Sequence, residues 1–333
     1  MTGSGKVRIA SVGLGGWART LAAAAGRSGA VEIVRCFDPL EDARASFADE
    51  TGARPTSSYE ELLQDESVEG VIVATPHSTH VEVACQAASA GKHLFVEKPF
   101  TLNAADAKRI ISAVEAAGVT LQVGHKRRWF GANRRILEMI KAGELGMLHQ
   151  LEGNYSRPSM QEARTGWRSD PAESPLGGMT GLGIHMVDLL SAFSGGRIER
   201  LAAFSKPLWG KSGLDDVTSM ILEFESGPLG YVGASTVVPI FVTAAAMGTE
   251  ASAWSEGDGS KLYVQKKDEP ARREVPVDAG DGVAEELVHF AHCIRTGESP
   301  EAGGAEGLEI AALLEAMQES VNTGRVVEMK DFR

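Results

Sequence analysis

The sequence predicts an α/β protein of two domains: a doubly wound parallel-sheet domain followed by an α+β domain. Three observations carry this prediction. The 333 residues exceed one ordinary core, since a domain takes roughly 100–200 residues. Short apolar runs alternate with helical patterns over the first 125 residues, whereas longer segments with a period of two follow Gly124. We therefore place one domain at residues 1–125 and the other at 126–333.

The first domain reads as strands separated by helices. The predicted strands are Val7–Val12, Val31–Phe37, Val68–Ala74, His93–Val96 and Thr120–Val123. The predicted helices are Ala18–Gly29, Glu41–Gly52, Tyr59–Gln64, Thr79–Ala90 and Asn103–Ala117. Nearly continuous apolar strands alternating with helices indicate a parallel sheet that is covered on both faces.

The second domain has a different sequence pattern: apolar and polar residues alternate, and the predicted turns are short. The predicted strands are Leu148–Ser156, Glu199–Leu208, Val217–Glu225, Leu229–Pro239, Phe241–Gly248 and Lys261–Lys266. The predicted helices are Ala132–Ala142, His185–Ser194, Ala284–Arg295 and Ala305–Asn322. Alternation with short turns favours antiparallel pairing within a mixed sheet.

Composition and net charge make some classes of binding partner unfavourable. A net charge of −12 repels phosphate backbones and anionic lipids, so nucleic acid and membrane surfaces are poor partners. The basic run Lys126–Arg128 with Arg134 and Arg135 is read either as a phosphate site or as a solvated helix face. Three cysteines without paired spacing, a short polar stretch over residues 1–5 and no long apolar run together predict a cytoplasmic protein.

The first strand ends in a glycine-rich turn that fits the dinucleotide-binding pattern G-x-G-x-x-G/A. The turn reads Val12-Gly13-Leu14-Gly15-Gly16-Trp17-Ala18. Gly13 permits the tight turn, Gly15 lets the backbone approach a pyrophosphate, and Ala18 keeps helix and strand close. The N-terminus of the following helix presents unpaired N–H groups to the phosphates.

Asp38 lies 20 residues beyond Ala18, at the end of the second predicted strand. A carboxylate there accepts hydrogen bonds from ribose hydroxyls and repels a 2′-phosphate, so we expect NAD rather than NADP. Pro39 and Leu40 follow it, where an NADP enzyme more often carries Ser or Arg. The alternative is a plain aspartate that begins a turn.

The third strand leads into Thr75-Pro76-His77, with His80 three residues later. Ligands of open parallel sheets collect at the carboxyl ends of strands, so these residues are candidates for lining the cofactor. The i, i+3 histidine spacing has no evident third ligand, so we expect no metal there; His289 and His292 receive the same interpretation.

The fourth strand delivers Glu97-Lys98-Pro99. A lysine at the carboxyl end of a buried strand is costly to desolvate, and it can polarise a substrate oxygen or hold a proton at a reduced pKa. Glu97 can orient Lys98 or contact the cofactor. Without its context the run is an ordinary surface turn.

In their order and spacing these motifs resemble the glucose–fructose oxidoreductase / inositol dehydrogenase / rhizopine-catabolism (Gfo/Idh/MocA) family. The resemblance continues through Val123–Trp129 and the glycine-rich block 177–188 to the tail 323–327, so it covers nearly the whole chain. It implies an NAD(P)-binding Rossmann domain and a C-terminal domain with an open, mainly antiparallel sheet. One sheet face would cover the substrate site, and the other often forms a dimer or tetramer interface.

The resemblance also implies hydride transfer between nicotinamide and a hydroxyl or carbonyl of a sugar, cyclitol or related polyol. Lys98 would stabilise the reacting oxygen and His185 would act as acid and base, a role that suits an imidazole near neutral pH. We place substrate contacts at Lys98, His125, Thr180 and His185. Arg168, on a loop before the glycine-rich block, is a candidate clamp for the substrate or the cofactor. Read alone, His185 is a structural histidine at a helix start and Arg168 a surface ion-pair residue.

The sequence departs from the family pattern at two positions. Gly181 stands where the family often has an aspartate, four residues before His185, and Lys126 stands where many relatives have asparagine. Either His185 works with Lys98 alone, or Asp188 or Thr180 assists, or redox chemistry is weak or lost. Asp188 is otherwise a helix-stabilising residue. A regulatory NAD-binding protein and an NAD-using glycosidase therefore remain as alternative functions.

Overall fold

The computed structural model describes residues 5–160 and 166–333, and these divide into two compact units. The first unit comprises residues 1–126 and 283–308, and the second comprises 127–282 and 309–333. The short polar stretch considered at residues 1–5 lies mostly outside the described residues.

The first unit is built on a six-stranded parallel sheet. Its strands are β1 (Val7–Val12), β2 (Val31–Phe37), β3 (Arg54–Pro55), β4 (Gly70–Val73), β5 (His93–Val96) and β6 (Leu121–Val123). Its helices are α1 (Gly16–Ser28), α2 (Glu41–Thr51), α3 (Tyr59–Gln64), α4 (His80–Ser89) and α5 (Ala104–Ala117). The strand order is β3-β2-β1-β4-β5-β6, so the order reverses between β1 and β4. In such sheets ligands bind at the carboxyl ends of the strands beside this point.

The helical segment 282–296 packs on the first sheet although it follows the second domain in sequence. Phe290 is fully buried and its ring meets Phe95 of β5 edge to face at 5.7 Å. Gln122 of β6 also donates a 2.7 Å hydrogen bond to the carbonyl of Glu286. The sequence analysis placed the domain boundary between residues 125 and 126. Residues 283–308 nevertheless belong to the first unit, because a returning helix covers one face of its sheet.

The second unit is built on a nine-stranded sheet in the order β14-β13-β12-β11-β7-β10-β9-β8-β15. Its strands are β7 (Leu148–Ser156), β8 (Ile198–Lys206), β9 (Val217–Phe224), β10 (Leu229–Ser235), β11 (Phe241–Gly248), β12 (Ala251–Glu256), β13 (Lys261–Lys266), β14 (Arg273–Val275) and β15 (Val327–Glu328). The β7–β10 pair is parallel, and the other pairs of this sheet are antiparallel. The α/β class with a mainly antiparallel second sheet is confirmed.

The later helices are α6 (Gly131–Lys141), α7 (Ile184–Ser194), α8 (Gly282–Thr296) and α9 (Gly304–Thr323). A single turn of π-helix, Met179–Gly183, runs directly into α7. The two glycines just before this turn allow close packing. A Cβ at Gly177 would lie 2.0 Å from the carbonyl oxygen of Asp215, and a Cβ at Gly178 would lie 2.7 Å from Thr236. Among the described residues, no helix is long and apolar enough to cross a membrane.

Candidate active site

The glycine-rich turn closes against the end of β4. Gly13 has a left-handed backbone, with φ of +81°, and a Cβ there would lie 2.8 Å from the backbone of Ala74 and Thr75. Any other residue would therefore meet both strain and a clash. A Cβ at Gly15 or Gly16, by contrast, would have no described atom within 4 Å. The turn is thus packed on its strand side and open beside the N-terminus of α1.

The first turn of α1 suits an anion. The helix begins at Gly16 with Gly15 as its N-cap, and its first turn contains no acidic side chain. The backbone N–H groups and the positive end of the helix dipole therefore face outward without a nearby carboxylate on the same turn. These are the groups that would hold the pyrophosphate of a dinucleotide.

Asp38 braces this turn. Its carboxylate accepts the backbone N–H of Leu14 and of Leu40, each at 3.0 Å. Because a carboxylate offers about four acceptor positions, these two bonds leave capacity for ribose hydroxyls. Arg44 of α2 donates to the carbonyl oxygen of Asp38 at 2.7 Å and to that of Pro39 at 3.1 Å. Sequence reasoning missed Arg44, because a residue six positions along a helix gives no local signal.

His80 links two strand ends. It is 1% exposed, and its ring nitrogens lie 3.1 Å from the carbonyl oxygen of Thr75 and 3.1 Å from that of Pro99. Thr79 donates to the Thr75 hydroxyl at 2.8 Å, while Pro76 and His77 enter a short 3-10 turn. The histidine therefore holds the ends of β4 and β5 together, and its contact with a cofactor stays a prediction.

Glu97 is a buried carboxylate beside Lys98. It is 5% exposed, and Lys98 donates its backbone N–H to Oε2 at 3.2 Å. Burial raises the pKa of Glu97, and the Trp17 indole and the ammonium groups of Lys98 and Lys126 act in the opposite direction. A Cβ at Gly124 would lie 2.7 Å from Oε1, so the carboxylate rests directly on that backbone. Lys98 itself is half-buried and precedes Pro99 through a cis peptide bond.

Lys126 lies on the same edge of this sheet. Its ammonium group sits 3.9 Å from the centroid of the Trp17 ring, which is a cation–π contact. His125, one residue earlier, is 1% exposed, and its backbone N–H bonds the carbonyl of Val123 at 2.8 Å. The first unit thus brings together the glycine turn, Trp17, Glu97, Lys98 and Lys126.

In the second unit His185 lies in the first turn of α7 and is 5% exposed. Its ring lies 5.9 Å from the Tyr155 ring of β7, with the two planes tilted by 48°. The guanidinium of Arg127 covers the same tyrosine at 3.9 Å from its centroid and pairs with Asp258 at 2.5 Å. The sequence analysis named Arg127 only as part of the basic run, and it did not single out Tyr155, because that tyrosine belongs to no recognisable motif.

Asp188 has a structural contact. The Arg128 guanidinium donates two hydrogen bonds, of 2.8 and 2.6 Å, to the Asp188 carboxylate, and both residues are buried. The pair fixes α7 one helical turn beyond His185. Asp188 therefore stabilises the helix through a specific partner, Arg128. Because Arg127 and Arg128 are buried, the basic run around Lys126 is not simply a solvated helix face.

Thr180 and Arg168, two of the other predicted substrate contacts, have local partners. Thr180 is fully buried and donates to the carbonyl of Pro175. Arg168 is exposed, with its guanidinium 4.1 Å from the Trp167 ring centroid. A Cβ at Gly181 would meet no described atom within 4 Å. Across residues 5–160 and 166–333, no group of three or more His, Cys, Asp or Glu side chains could hold a metal ion.

Comparisons with known proteins agree with this architecture. Residues 7–125 match the model of the Gfo/Idh/MocA oxidoreductase family with an NAD-binding Rossmann fold, and residues 133–254 match the C-terminal domain of that family. The chain is 30% identical to scyllo-inositol 2-dehydrogenase (NAD(+)) of Bacillus subtilis, over 81% of this chain and 80% of that one. It is 28% identical to D-xylose 1-dehydrogenase (NADP(+)) 2 of Haloferax volcanii, over 87% and 90%.

A solved oxidoreductase of Desulfitobacterium hafniense superposes with a TM-score of 0.92 at 30% identity, covering 98% of this chain and 99% of that one. Both halves of the chain therefore match the same family, and the predicted resemblance is confirmed. The chain belongs to the Gfo/Idh/MocA family of NAD(P)-binding oxidoreductases.

The buried Arg128–Asp188 pair gives a stability prediction. Arg128→Met leaves the Asp188 carboxylate buried without its guanidinium, which costs about 3–5 kcal/mol. We expect a reduced free energy of unfolding in urea, measured by circular dichroism. Arg128→Met/Asp188→Leu should recover part of the loss, because it removes the stranded charge.

Arg200→Met is the matched control, since Arg200 forms an exposed pair with Glu223 and should change stability little. Equal losses in Arg128→Met and Arg200→Met would contradict the structural role of the buried pair.

Proposed function

We propose that this protein is an NAD-dependent dehydrogenase that transfers a hydride between nicotinamide and a hydroxyl or carbonyl of a sugar, cyclitol or related polyol. The observation that supports it most is Lys98 at the carboxyl end of β5, beside a buried glutamate and on the same sheet edge as the glycine turn. The named activities of the Bacillus and Haloferax relatives point to the same substrate class.

The proposed roles follow from the chemistry of each group. NAD supplies the hydride acceptor when it is bound. The glycine turn and α1 hold the pyrophosphate, Asp38 binds the ribose, and Thr75, Pro76, His77 and Glu97 line the remainder. Lys98 stabilises the negative charge that develops on the substrate oxygen, and His185 takes the hydroxyl proton. His125, Arg168 and Thr180 are assigned to substrate binding by the family resemblance.

Removal of the Lys98 ammonium tests this proposal. We expect Lys98→Ala to abolish NADH formation with a polyol panel, followed at 340 nm, while the Kd for NADH changes only a few-fold. The physical reason is that the ammonium stabilises the developing alkoxide, whereas the pyrophosphate is held by the turn. Lys108→Ala on the exposed face of α5 is the control. Turnover like that of the unaltered enzyme in Lys98→Ala would reject the mechanism.

We further propose NAD over NADP, because the Asp38 carboxylate would repel a 2′-phosphate. Asp38→Asn removes the charge and keeps one oxygen acceptor, which can serve either the Leu14 or the Leu40 N–H. We expect the Kd for NADPH to fall by about tenfold or more relative to that for NADH, measured by protein fluorescence. Asp42→Asn, exposed on α2, should leave the ratio unchanged. A ratio that stays constant in Asp38→Asn would remove Asp38 as the selector.

We propose that the outer face of the second sheet joins copies of this chain into a dimer or tetramer. Large apolar side chains lie exposed on this face, from β8 to β11: Phe204, Ile221, Leu229, Tyr231 and Phe241. The register sets Ile221 directly opposite Tyr231 on the neighbouring strand, so these two side chains are adjacent on this face. The three cysteines are free thiols, which supports a cytoplasmic location.

A charge in this patch tests the assembly. Ile221→Asp places a carboxylate in the centre of the apolar face, so we expect a smaller assembly at micromolar concentration by light scattering. Ser219→Asp places a second carboxylate on the same face, opposite Phe204 and near Tyr231, and should have the same effect. An unaltered chain that is monomeric at these concentrations would overturn the proposal.

A further inference from the structure

Tyr155, near the end of β7, is a tyrosine that is only 7% exposed. Across residues 5–160 and 166–333, the polar groups against its side chain are a guanidinium over the ring and an imidazole beside it, and neither bonds the hydroxyl. A buried tyrosine ordinarily finds a hydrogen-bond partner for its hydroxyl. The hydroxyl also keeps some accessible surface, since it is not one of the fully enclosed polar atoms that lack a partner. A ligand can therefore reach it and supply that partner.

The elements packed around Tyr155 hold its ring through apolar contacts. Side chains alternate along a strand, so Gly153 and Tyr155 point to the same face of β7. A Cβ at Gly153 would lie 2.9 Å from the Met186 side chain, so α7 packs closely on this face. Val242 of β11 stands directly opposite Tyr155, and its buried side chain has no hydrogen-bonding group. The hydroxyl is thus the polar end of a ring in an otherwise apolar setting.

Arg127 restricts the tyrosine ring from one side. Its guanidinium lies 3.9 Å from the ring centroid, and the residue is itself 1% exposed. The guanidinium pairs with Asp258, and Asn133 donates a 2.8 Å hydrogen bond to the Arg127 carbonyl oxygen. The arginine is therefore anchored at its side chain and at its backbone. A ring that rests on a fixed cation loses little freedom when a ligand binds, which favours affinity.

The tyrosine also lies beside the proposed acid and base. The ring centroids of Tyr155 and His185 are 5.9 Å apart, with the two planes tilted by 48°. A polyol carries hydroxyls on neighbouring carbon atoms. When one of them meets the imidazole, another comes within reach of a group beside that imidazole. The hydroxyl of Tyr155 is such a group.

We propose that Tyr155 is a substrate-binding residue, whose hydroxyl forms a hydrogen bond with a hydroxyl of the sugar or polyol next to the one that reacts. This inference rests on the proposed function, which sets the reacting hydroxyl at His185. A site that is built to bond a substrate hydroxyl rejects the analogue that lacks it, because the group of the protein is then left without a partner. Tyr155 thus selects substrates with a second hydroxyl beside the reacting one.

Tyr155→Phe removes the hydroxyl and keeps the ring with its contacts. Binding of D-glucitol, D-glucose and myo-inositol is measured by calorimetry on the enzyme saturated with NADH. We expect the tightest of these ligands to bind about 10-fold more weakly to the variant, while the Kd for NADH stays within about twofold. The urea midpoint should not fall, because the hydroxyl has no hydrogen bond to the described chain. A hydroxyl with a structural role would lower that midpoint.

Monodeoxy analogues of the tightest ligand identify the bonded hydroxyl. The analogue that lacks it should bind the unaltered enzyme about 10-fold more weakly than the parent and bind Tyr155→Phe with about the same affinity. The other analogues should lose affinity in the variant as the parent does. Tyr263→Phe is the matched control, because the Tyr263 ring on β13 also lies under a guanidinium, that of Arg272 at 4.5 Å. It should change neither ligand affinity nor NADH affinity.

Three results would overturn the inference: unchanged ligand affinity in Tyr155→Phe, equal losses in that variant for the parent and every monodeoxy analogue, or no binding of any of the three ligands to the unaltered enzyme. Binding needs no turnover, so the two proposals fail separately. Tyr155-dependent binding without NADH formation keeps this inference and rejects the dehydrogenase. NADH formation with the same kcat/KM in Tyr155→Phe keeps the dehydrogenase and rejects the role of the tyrosine.

Discussion

The carboxyl edge of the first sheet depends on two close approaches that only glycine permits. At Gly13 a side chain would meet the backbone of Ala74 and Thr75 at 2.8 Å, and at Gly124 it would meet the Glu97 carboxylate at 2.7 Å. The first contact seats the nucleotide turn against β4 at the point where the strand order reverses. The second lets a carboxylate lie buried beside Lys98. The positions of both the glycine turn and the proposed catalytic lysine therefore depend on two residues that have no Cβ.

Buried polar side chains then hold this edge in place. His80 bridges the carbonyl oxygens of Thr75 and Pro99, and Asp38 ties the turn to the end of β2. In the second unit Arg128 and Asp188 hold α7, while Arg127 and Tyr155 lie behind His185. Such groups are costly to bury without their partners, so these contacts specify the local arrangement within each unit.

The sequence predicted most elements but not the contacts between distant ones. The bounds of β1 and β2 were predicted as they are observed, because their apolar runs are bounded by turns. By contrast, β12 was missed, since its alternation of alanine and serine with Trp254 gives a weak apolar period. The return of residues 283–308 to the first unit was also missed, because an amphipathic helix does not reveal which sheet it covers.

The site shows the same limit. Motif spacing identified the glycine turn, Asp38, Glu97 and Lys98, because local sequence fixes a turn at a strand end. It could not show that the Lys126 ammonium lies over the Trp17 ring or that the Arg127 guanidinium lies over the Tyr155 ring. The residues of each pair are far apart in sequence and come into contact only in the folded chain. Roles for Thr180 and Arg168 came from resemblance alone, and the structure gives them local contacts with Pro175 and Trp167.

In the proposed reaction, Gly181 changes the relative contributions of Lys98 and His185 to the rate. The usual aspartate would stabilise a protonated imidazole, whereas glycine brings no carboxylate to that position. The Tyr155 ring lies beside His185, and the Arg127 guanidinium covers that tyrosine. An imidazolium at His185 therefore gains no stabilisation from position 181. In the proposed reaction, stabilisation of the developing alkoxide by Lys98 would then contribute more to the rate than proton transfer to His185.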